Sequence, residues 1–425
     1  MDIDQLYQIY LQHPEICTDS RKIVHGCLFF ALKGDAFDGN QFAVSALHTG
    51  ASYAIVDDIT LASVERCIIV DDVLSCLQKL ASFHRKQLNI PVLGITGSNG
   101  KTTTKELCRD VLQKKYITKA TLGNLNNHIG IPLTILKVKA DAEMAVVEMG
   151  ANHLNEIAEY CNYTLPTHGI ITNCGKAHLE GFGGIEGVKK GKGELYDFLR
   201  ANNGTAFVFW DYDYLREMSK GIGTIKTYGT KDAEITGAIK TSSTFLEVSI
   251  TNGAHIDILK THLIGSYNLP NVLLAVAVGK YFNVSDEKIK AALENYIPDN
   301  SRSQMIEKGN NKIILDAYNA NPTSMAAAIE NFAKMKGDDK VLLLGGMMEL
   351  GDESEKEHAA IVAIIDKYQW KAVVLVGGDY SKLPHRYINF STSPEAKAWL
   401  QQQQFSNTQL LVKGSRSMQM EKVVE

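Results

Sequence analysis

Residues 94–113 read GITGSNGKTTTKELCRDVLQ, preceded by PVL at 91–93. PVLGIT has the character of a buried strand, GSNG of a tight loop, and KTTTKELCRDVLQKK of a helix. Gly97 and Gly100 let the backbone approach a ligand closely, and the free N–H groups of the helix start favour an anion. Lys101 can reach the outer phosphates of a nucleotide, and the Thr102 hydroxyl is a hard oxygen suited to magnesium. The candidate phosphate-binding set is therefore Gly97, Ser98, Asn99, Gly100, Lys101, Thr102 and Thr103. The spacing departs by one position from G-x-x-x-x-G-K, because Ile95 stands six residues before Lys101. An ordinary glycine turn capping a helix is the bland alternative. Even as a phosphate loop, the stretch suits a kinase, a GTPase, a motor or a ligase, so its use must be sought in its surroundings.

A chain of 425 residues exceeds one compact core and implies two to four domains. Its 45% hydrophobic and 22% charged residues are the balance of a globular protein. A net charge of −4 offers no basic field to nucleic acid, so polyanionic ligands must be held by local groups. The seven cysteines form no C-x-x-C pair, which points to reduced thiols in a cytoplasmic protein rather than disulfides or zinc. MDIDQLYQIYLQHPE at the start lacks a basic region followed by an apolar run, so no signal peptide is expected. No stretch approaches the ~18–20 apolar residues that span a bilayer.

The patterning divides the chain into three α/β segments. Residues 1–85 alternate short apolar runs (CLFFAL, YAIVDD, CIIVDD) with helical patterns, as in a small α/β domain. Residues 86–296 continue from the first strand through MAVVEMG, HGIITNCG and TAFVFW between helices, which predicts a parallel sheet. Within this segment, 232–264 turns to period-two alternation broken by TNG, predicting a small antiparallel sheet. Residues 297–425 hold four strand-like runs, KIILDAY, KVLLLGG, KAVVLVGG and QLLVKG, separated by helical patterns. An open Rossmann-like sheet is expected there, without the G-x-G-x-x-G turn of a dinucleotide site.

Magnesium needs an octahedral shell of oxygens, so one threonine does not suffice. Glu148 ends the run MAVVE, where an α/β sheet presents ligand contacts, and His178 lies just past HGIITNCG. Alone, Glu148 is a glutamate at a strand end and His178 a hydrogen-bonded loop histidine. The upstream loop is what favours a metal role for both.

Beyond the loop, TGSNGKTTTKE, GNLNNHIGIPLTIL, VVEMGANHLNEI, ITNCGKAHLEGFGGIEGVKKGKGEL, DAYNANPTSM and LLVKGSRSMQME together resemble the Mur ligases. The resemblance begins at TDSRKIVHGCLFFALKGDAFDGNQF and covers nearly the whole chain. Within that family, YNANPTSM and KGSRSM resemble the type that adds D-alanyl-D-alanine to UDP-N-acetylmuramoyl-tripeptide, a precursor of peptidoglycan. The resemblance implies ATP and two magnesium ions. It implies that ATP phosphorylates the peptide's terminal carboxylate, and that the dipeptide amine then displaces phosphate. A carboxylate alone would have to expel oxide, so on this reading the loop energises a carboxylate.

Carried onto this sequence, the resemblance assigns Lys101 to the phosphates, Thr102 and Glu148 to one magnesium ion, and His178 to a second. Lys192, in VKKGKGELYDF, matches a lysine that is carbamylated in the family; the bland reading is a lysine that binds phosphate or faces solvent. Asn271 would contact adenine, Arg302 the γ-phosphate and Asp316 the ribose. The implied catalytic set is Lys101, His178, Lys192 and Arg302. Thr18, Asp19, Ser20 and Arg21, with Lys33 and Gly34 of ALKGD, would hold the uridine diphosphate end. Asn126 and Asn127 fall near the acceptor or peptide, and Tyr318, Asn319 and Asn321 on the dipeptide side.

Three positions depart from the family pattern: Tyr267 where histidine is frequent, Ser301 where glycine is usual, and Gly346 where GGMMELG usually has an acid. Glu349 of that motif is retained. Without context, YNANP reads as an Asn-rich turn with Pro322 opening a helix, KGSRSM as a terminal loop, and Arg302 as a surface ion pair. The rivals are a folate-type amide ligase, which would not need the first domain, and a silent nucleotide-binding protein. The latter has no chemical need of Lys101, Thr102, Glu148, His178 and Lys192 together. The expected partners are the two small substrates, with no nucleic acid and no membrane span, and the expected state is a monomer.

Overall fold

The computed structural model describes residues 1–241, 244–337 and 339–425. Its largest sheet is built around the strand that leads into the glycine loop. Val92–Thr96 is wholly buried, as its apolar run requires, and so is Met144–Glu148 beside it. From one edge, the sheet runs Ile258–Lys260, Glu247–Asn252, Ile235–Thr241, Thr224–Gly229, Thr205–Phe209, His168–Ile171, Val92–Thr96, Met144–Glu148, Thr118–Ala120. Every pair from Ile235–Thr241 to Thr118–Ala120 is parallel.

The alternating stretch forms the antiparallel strands at the opposite edge, and these continue the parallel strands as one sheet. Period-two alternation reports pairing within that ribbon. The join to Thr224–Gly229 rests on Tyr228 opposite Ile235 and Gly229 opposite Thr236, which no local pattern announces.

After Val92–Thr96 the chain visits the edge strand Thr118–Ala120 and returns through Met144–Glu148. It then crosses to His168–Ile171 on the far side of Val92–Thr96. That reversal is a topological switch point, and it opens a crevice at the carboxyl ends of the strands. The glycine loop emerges there.

The C-terminal sheet runs Gln304–Lys308, Asn311–Asp316, Gln409–Lys413, Lys340–Gly345, Ala372–Val376, Ile388–Phe390. The four expected strands form its parallel centre, and antiparallel Gln304–Lys308 and short Ile388–Phe390 close its edges. Gln304–Lys308 has no fully buried residue, so it carries little apolar signal. In the N-terminal sheet, Ile16–Cys17, Leu28–Phe30, Tyr53–Val56 and Cys67–Ile69 are parallel throughout. Among the described residues no helix is long and apolar enough to cross a membrane.

Helix Val73–Gln87 ties the first sheet to the central one. Asp72 caps it by accepting from the Ser75 N–H at 2.6 Å, and Val73, Cys76, Leu77, Leu80, Ala81 and His84 are buried at helical spacing. It packs on Gly130–Leu136 and Glu156–Thr164, so the division proposed at residue 85 falls inside an element shared by two domains. Arg85 is 6% exposed and donates to the carbonyls of Leu88, Ile90, Thr164 and Leu165 at 2.7–3.3 Å. Arg85→Met keeps the apolar stem but strips four carbonyls of their donor. The expected loss is about 3 kcal/mol, read as a lower urea midpoint at unchanged slope.

Candidate active site

The loop at 97–100 takes a shape that few residues permit. Gly97 (φ 139°) and Gly100 (φ 79°) are left-handed. A Cβ on Gly97 would lie 2.0 Å from Thr172 Oγ1, and one on Gly100 would lie 2.9 Å from Asn271 Oδ1. The loop is bonded to the segment after His168–Ile171. The Ser98 N–H and hydroxyl donate to Asn173 O and Gly175 O, both at 2.9 Å. The Asn99 N–H donates to Asn173 Oδ1 at 3.1 Å, and the Thr172 hydroxyl donates to Asn99 O at 2.6 Å. Lys101 curls back to Gly97 O at 2.6 Å, and burial, with Arg302 nearby, lowers its pKa to about 8.

A cleft of about 1660 Å³ opens above this loop between the central and C-terminal domains. It brings together Ser98, Asn99, Gly100, Lys101, Thr102, Thr103, Asn126, Asn127, Glu148, His178 and Asn271 with Arg302, Asp316, Tyr318, Asn319 and Asn321. The structure does not bring Thr18, Asp19, Ser20, Arg21, Lys33 or Gly34 to this cleft. They lie on the first domain, where Arg21 pairs with Asp19 and Lys33 with Asp57, each at 2.8 Å. A smaller cavity of about 220 Å³ leads from the cleft toward that domain. It is lined by Asp72, Ser75 and Gln78 and shares His128, Glu156 and Tyr160 with the cleft.

Glu148 is 1% exposed. Its Oε1 accepts from the Thr102 hydroxyl at 3.1 Å and from Asn126 Nδ2 at 2.9 Å. Its Oε2 is buried without a hydrogen bond, with Lys105 Nζ 3.9 Å away. A buried carboxylate oxygen lacking a donor, beside a threonine hydroxyl, fits a divalent cation. Among the described residues no three His, Cys, Asp or Glu side chains could enclose a metal by themselves. The fit is therefore to magnesium, which takes few protein ligands and completes its shell from phosphates and water.

Lys192 lies beneath the cleft on helix Ile185–Ala201, 1% exposed. Its Nζ donates to Ala151 O at 2.9 Å and sits 4.9 Å from the centre of the Phe182 ring; among the described residues it forms no salt bridge, and Glu156 and Glu194 act on it only as weaker, more distant charges. Burial first, and the Lys101 charge second, lower its pKa to about 7. This is not the solvent-facing lysine of the bland reading.

Several contacts cross between the two domains. Asn321 Nδ2 donates to Asn99 Oδ1 at 2.8 Å, the Lys176 N–H to Thr323 Oγ1 at 3.0 Å, and Lys176 Nζ meets Glu357 at 2.5 Å. His178 Nδ1 meets the Glu349 carboxylate. Arg302 Cζ lies over the Tyr318 ring, 3.7 Å from its centre, rather than in a surface ion pair. Asp316 accepts from the Ser303 N–H at 3.0 Å and from Lys413 Nζ at 2.6 Å. Lys413 was missed in the sequence, although a lysine ending the buried run QLLVK was a signal; it stands opposite Asp316 in the sheet.

Some predicted residues serve local structure. Asn127 Oδ1 accepts from the N–H groups of Ile129 and Gly130, and Asn319 Oδ1 from the Ala320 N–H. Asn271 accepts from the Thr104 hydroxyl and donates to Asn268 Oδ1. Asn321 caps the helix Pro322–Lys334, so YNANP is both helix start and cleft wall. The three departures also have structural readings. Ser301 keeps a left-handed φ of 55°, Tyr267 bonds Ser303 Oγ at 2.9 Å, and a Cβ on Gly346 would meet Gly378 Cα at 2.5 Å. An acidic side chain has no room at position 346.

Family models cover all three parts of the chain: "Mur ligase family, catalytic domain" at 14–92, "Mur ligase middle domain" at 95–279 and "Mur ligase, glutamate ligase domain" at 301–416. The chain belongs to the Mur ligase family. It is 36% identical over 429 residues to the UDP-N-acetylmuramoyl-tripeptide–D-alanyl-D-alanine ligase of Escherichia coli (strain K12), covering 96% of this chain and 92% of that one. The ligase of the same name from Bacillus subtilis (strain 168) is 33% identical over the same shares. The crystal structure of MurF from Acinetobacter baumannii superposes with a TM-score of 0.89 at 30% identity, over 99% of this chain and 97% of that one. MurF from Thermotoga maritima in complex with ADP gives 0.88 at 25% identity, over 97% of each chain.

This Mur ligase buries Lys192 with a definite consequence for stability. The amine loses its proton near pH 7 when folded and near 10.5 when unfolded. Between those values the unfolded chain holds the extra proton, so the penalty is full below pH 7 and fades as pH rises. The melting-temperature advantage of Lys192→Met over wild type should therefore shrink from pH 7 toward about pH 9.5 in degassed buffer. A flat or growing advantage would contradict the assignment.

Proposed function

We propose that this protein is an ATP-dependent ligase joining D-alanyl-D-alanine to UDP-N-acetylmuramoyl-tripeptide through an acyl phosphate, giving the pentapeptide precursor of peptidoglycan. One observation carries the reading. A single cleft joins a phosphate loop, an orphaned carboxylate oxygen and, beneath it, a buried lysine without a salt bridge, in a chain about a third identical to ligases of that name. We assign it to the cytoplasm, where its nucleotide substrates occur.

The loop N–H groups and Lys101 bind the β- and γ-phosphates of ATP. Arg302, lying over the Tyr318 ring, faces the γ-phosphate, Asp316 the ribose and Asn271 the adenine. Thr18 to Arg21, with Lys33 and Gly34, hold the uridine diphosphate, and the sugar-peptide follows the wall shared by His128, Glu156 and Tyr160. Asn126 borders the peptide, and Tyr318, Asn319 and Asn321 border the dipeptide. The peptide carboxylate attacks the γ-phosphorus, forming an O–P bond as the bond to ADP breaks. The neutral dipeptide amine then attacks the carbonyl carbon, a C–N bond forms, and phosphate leaves with the electron pair of the broken C–O bond as the nitrogen gives up its proton, which the released phosphate can take.

Thr102, Glu148 and His178 would hold Mg²⁺, which when bound offsets the repulsion between carboxylate and phosphates. Lys192 is suited to carbamylation. The ammonium first gives up a proton; the neutral amine then takes up carbon dioxide and releases a second proton, so that +1 becomes −1 overall and two oxygens are offered toward the cation sites.

Phosphate release with UDP-N-acetylmuramoyl-tripeptide should require D-alanyl-D-alanine and should not be sustained by D-alanine, L-alanine or glutamate. Release that depends on glutamate instead would mark a different amide ligase. Lys192→Ala should be nearly inactive and partly rescued by short carboxylates, whereas Lys192→Arg should remain inactive, since guanidinium is not carbamylated. Near-normal turnover by the arginine variant would mean that position 192 needs only positive charge.

A further inference from the structure

The motif GGMMELG, residues 345–351, belongs to the C-terminal domain and has no task in the reaction above. It is nevertheless firmly held. Gly346 packs backbone to backbone on Gly378, and its N–H donates to Val376 O at 2.9 Å. The Met347 N–H donates to His358 Nε2 at 3.0 Å; His358 is fully buried, with its Nδ1 2.7 Å from Ser354 O. Nδ1 is therefore the donor to Ser354, and Nε2 the acceptor that pins the motif.

From this anchored segment Glu349 projects in a left-handed conformation, φ 61°, which is costly for a residue other than glycine or asparagine. Its carboxylate meets Nδ1 of His178, which is itself left-handed at φ 52°. Glu349 O also accepts from the Glu180 N–H at 3.4 Å. Two residues in strained conformations, one from each domain, thus meet side chain to side chain.

We infer that Glu349 is a positioning residue: presented by the C-terminal domain, its carboxylate orients the His178 imidazole so that Nε2 is the nitrogen left for the cation. The inference rests on the proposed metal role of His178. A carboxylate on one ring nitrogen fixes the tautomer and orientation of the ring and raises the basicity of the other. Because the carboxylate and the imidazole belong to different domains, docking and completion of the cation site become one event. The neighbouring Lys176–Glu357 and Lys176–Thr323 contacts cross the same boundary, so removing Glu349 leaves other docking contacts in place.

The test is Mn²⁺ binding to the full chain with a non-hydrolysable ATP analogue, followed by electron paramagnetic resonance. Glu349→Ala should weaken one Mn²⁺ affinity by about 10–100-fold. Glu349→Gln, whose amide oxygen can accept from Nδ1, should recover most of it. Glu349→Ala should add nothing in a His178→Ala background. Both Glu349 variants should melt near wild type, because this side chain is half exposed. An Mn²⁺ affinity unchanged by Glu349→Ala but weakened by His178→Ala overturns the inference and leaves the proposed function intact. An effect of Glu349→Ala that persists without His178 overturns it equally. If His178→Ala itself leaves Mn²⁺ binding unchanged, the metal role of His178 fails and the inference fails with it.

Discussion

A loop can offer its backbone N–H groups to a polyanion only if something else holds its shape. Here the 172–175 segment does so, accepting from Ser98 and Asn99 and donating to the Asn99 carbonyl. Those bonds form because His168–Ile171 lies directly beside Val92–Thr96, on the opposite side from Met144–Glu148. Strand order therefore sets the loop, and the same order brings Glu148 under Thr102. The 2.0 Å that separates a hypothetical Cβ on Gly97 from Thr172 Oγ1 measures how tightly the two segments close.

Around that loop, burial concentrates charge. Lys101, Lys105 and Lys192 share one neighbourhood with Glu148, and burial is the first cause of the lowered pKa of each lysine. A set of buried lysines with lowered pKa beside one incompletely satisfied carboxylate is poorly matched by itself. It is well matched to a nucleotide phosphate chain, a divalent cation and a lysine carbamate. The chemistry proposed for the cleft resolves the electrostatic mismatch that folding creates.

The C-terminal domain completes the cleft with several polar side-chain contacts to the central domain. Asn321 reaches the loop, Lys176 reaches Glu357, and Glu349 reaches His178. Polar contacts of this kind are individually modest and depend on geometry.

Much of the molecule was legible in order. The strand–loop–helix at 92–112, the buried runs ending at Glu148 and near His178, and the four central strands of the C-terminal sheet all carry local patterns with periods that elementary stereochemistry imposes. The resemblance to Mur ligases was also legible, since its motifs are contiguous. Local pattern says which face of a segment is buried, not what buries it. Edge strand Gln304–Lys308, the join of the antiparallel ribbon to the parallel sheet, and the pairing of Asp316 with Lys413 depend on partners that periodicity does not name. The same holds for Glu349 and His178, 171 positions apart by their numbers, which meet only when two domains dock. The sequence by itself determined most of the elements, the strand–loop–helix at 92–112 among them, and the family. Tertiary structure alone decided that Lys192 is buried without a salt bridge, that position 346 has no room for an acidic side chain, and that Glu349 faces His178. Each of these depends on the distance between groups far apart in the chain, and packing sets that distance.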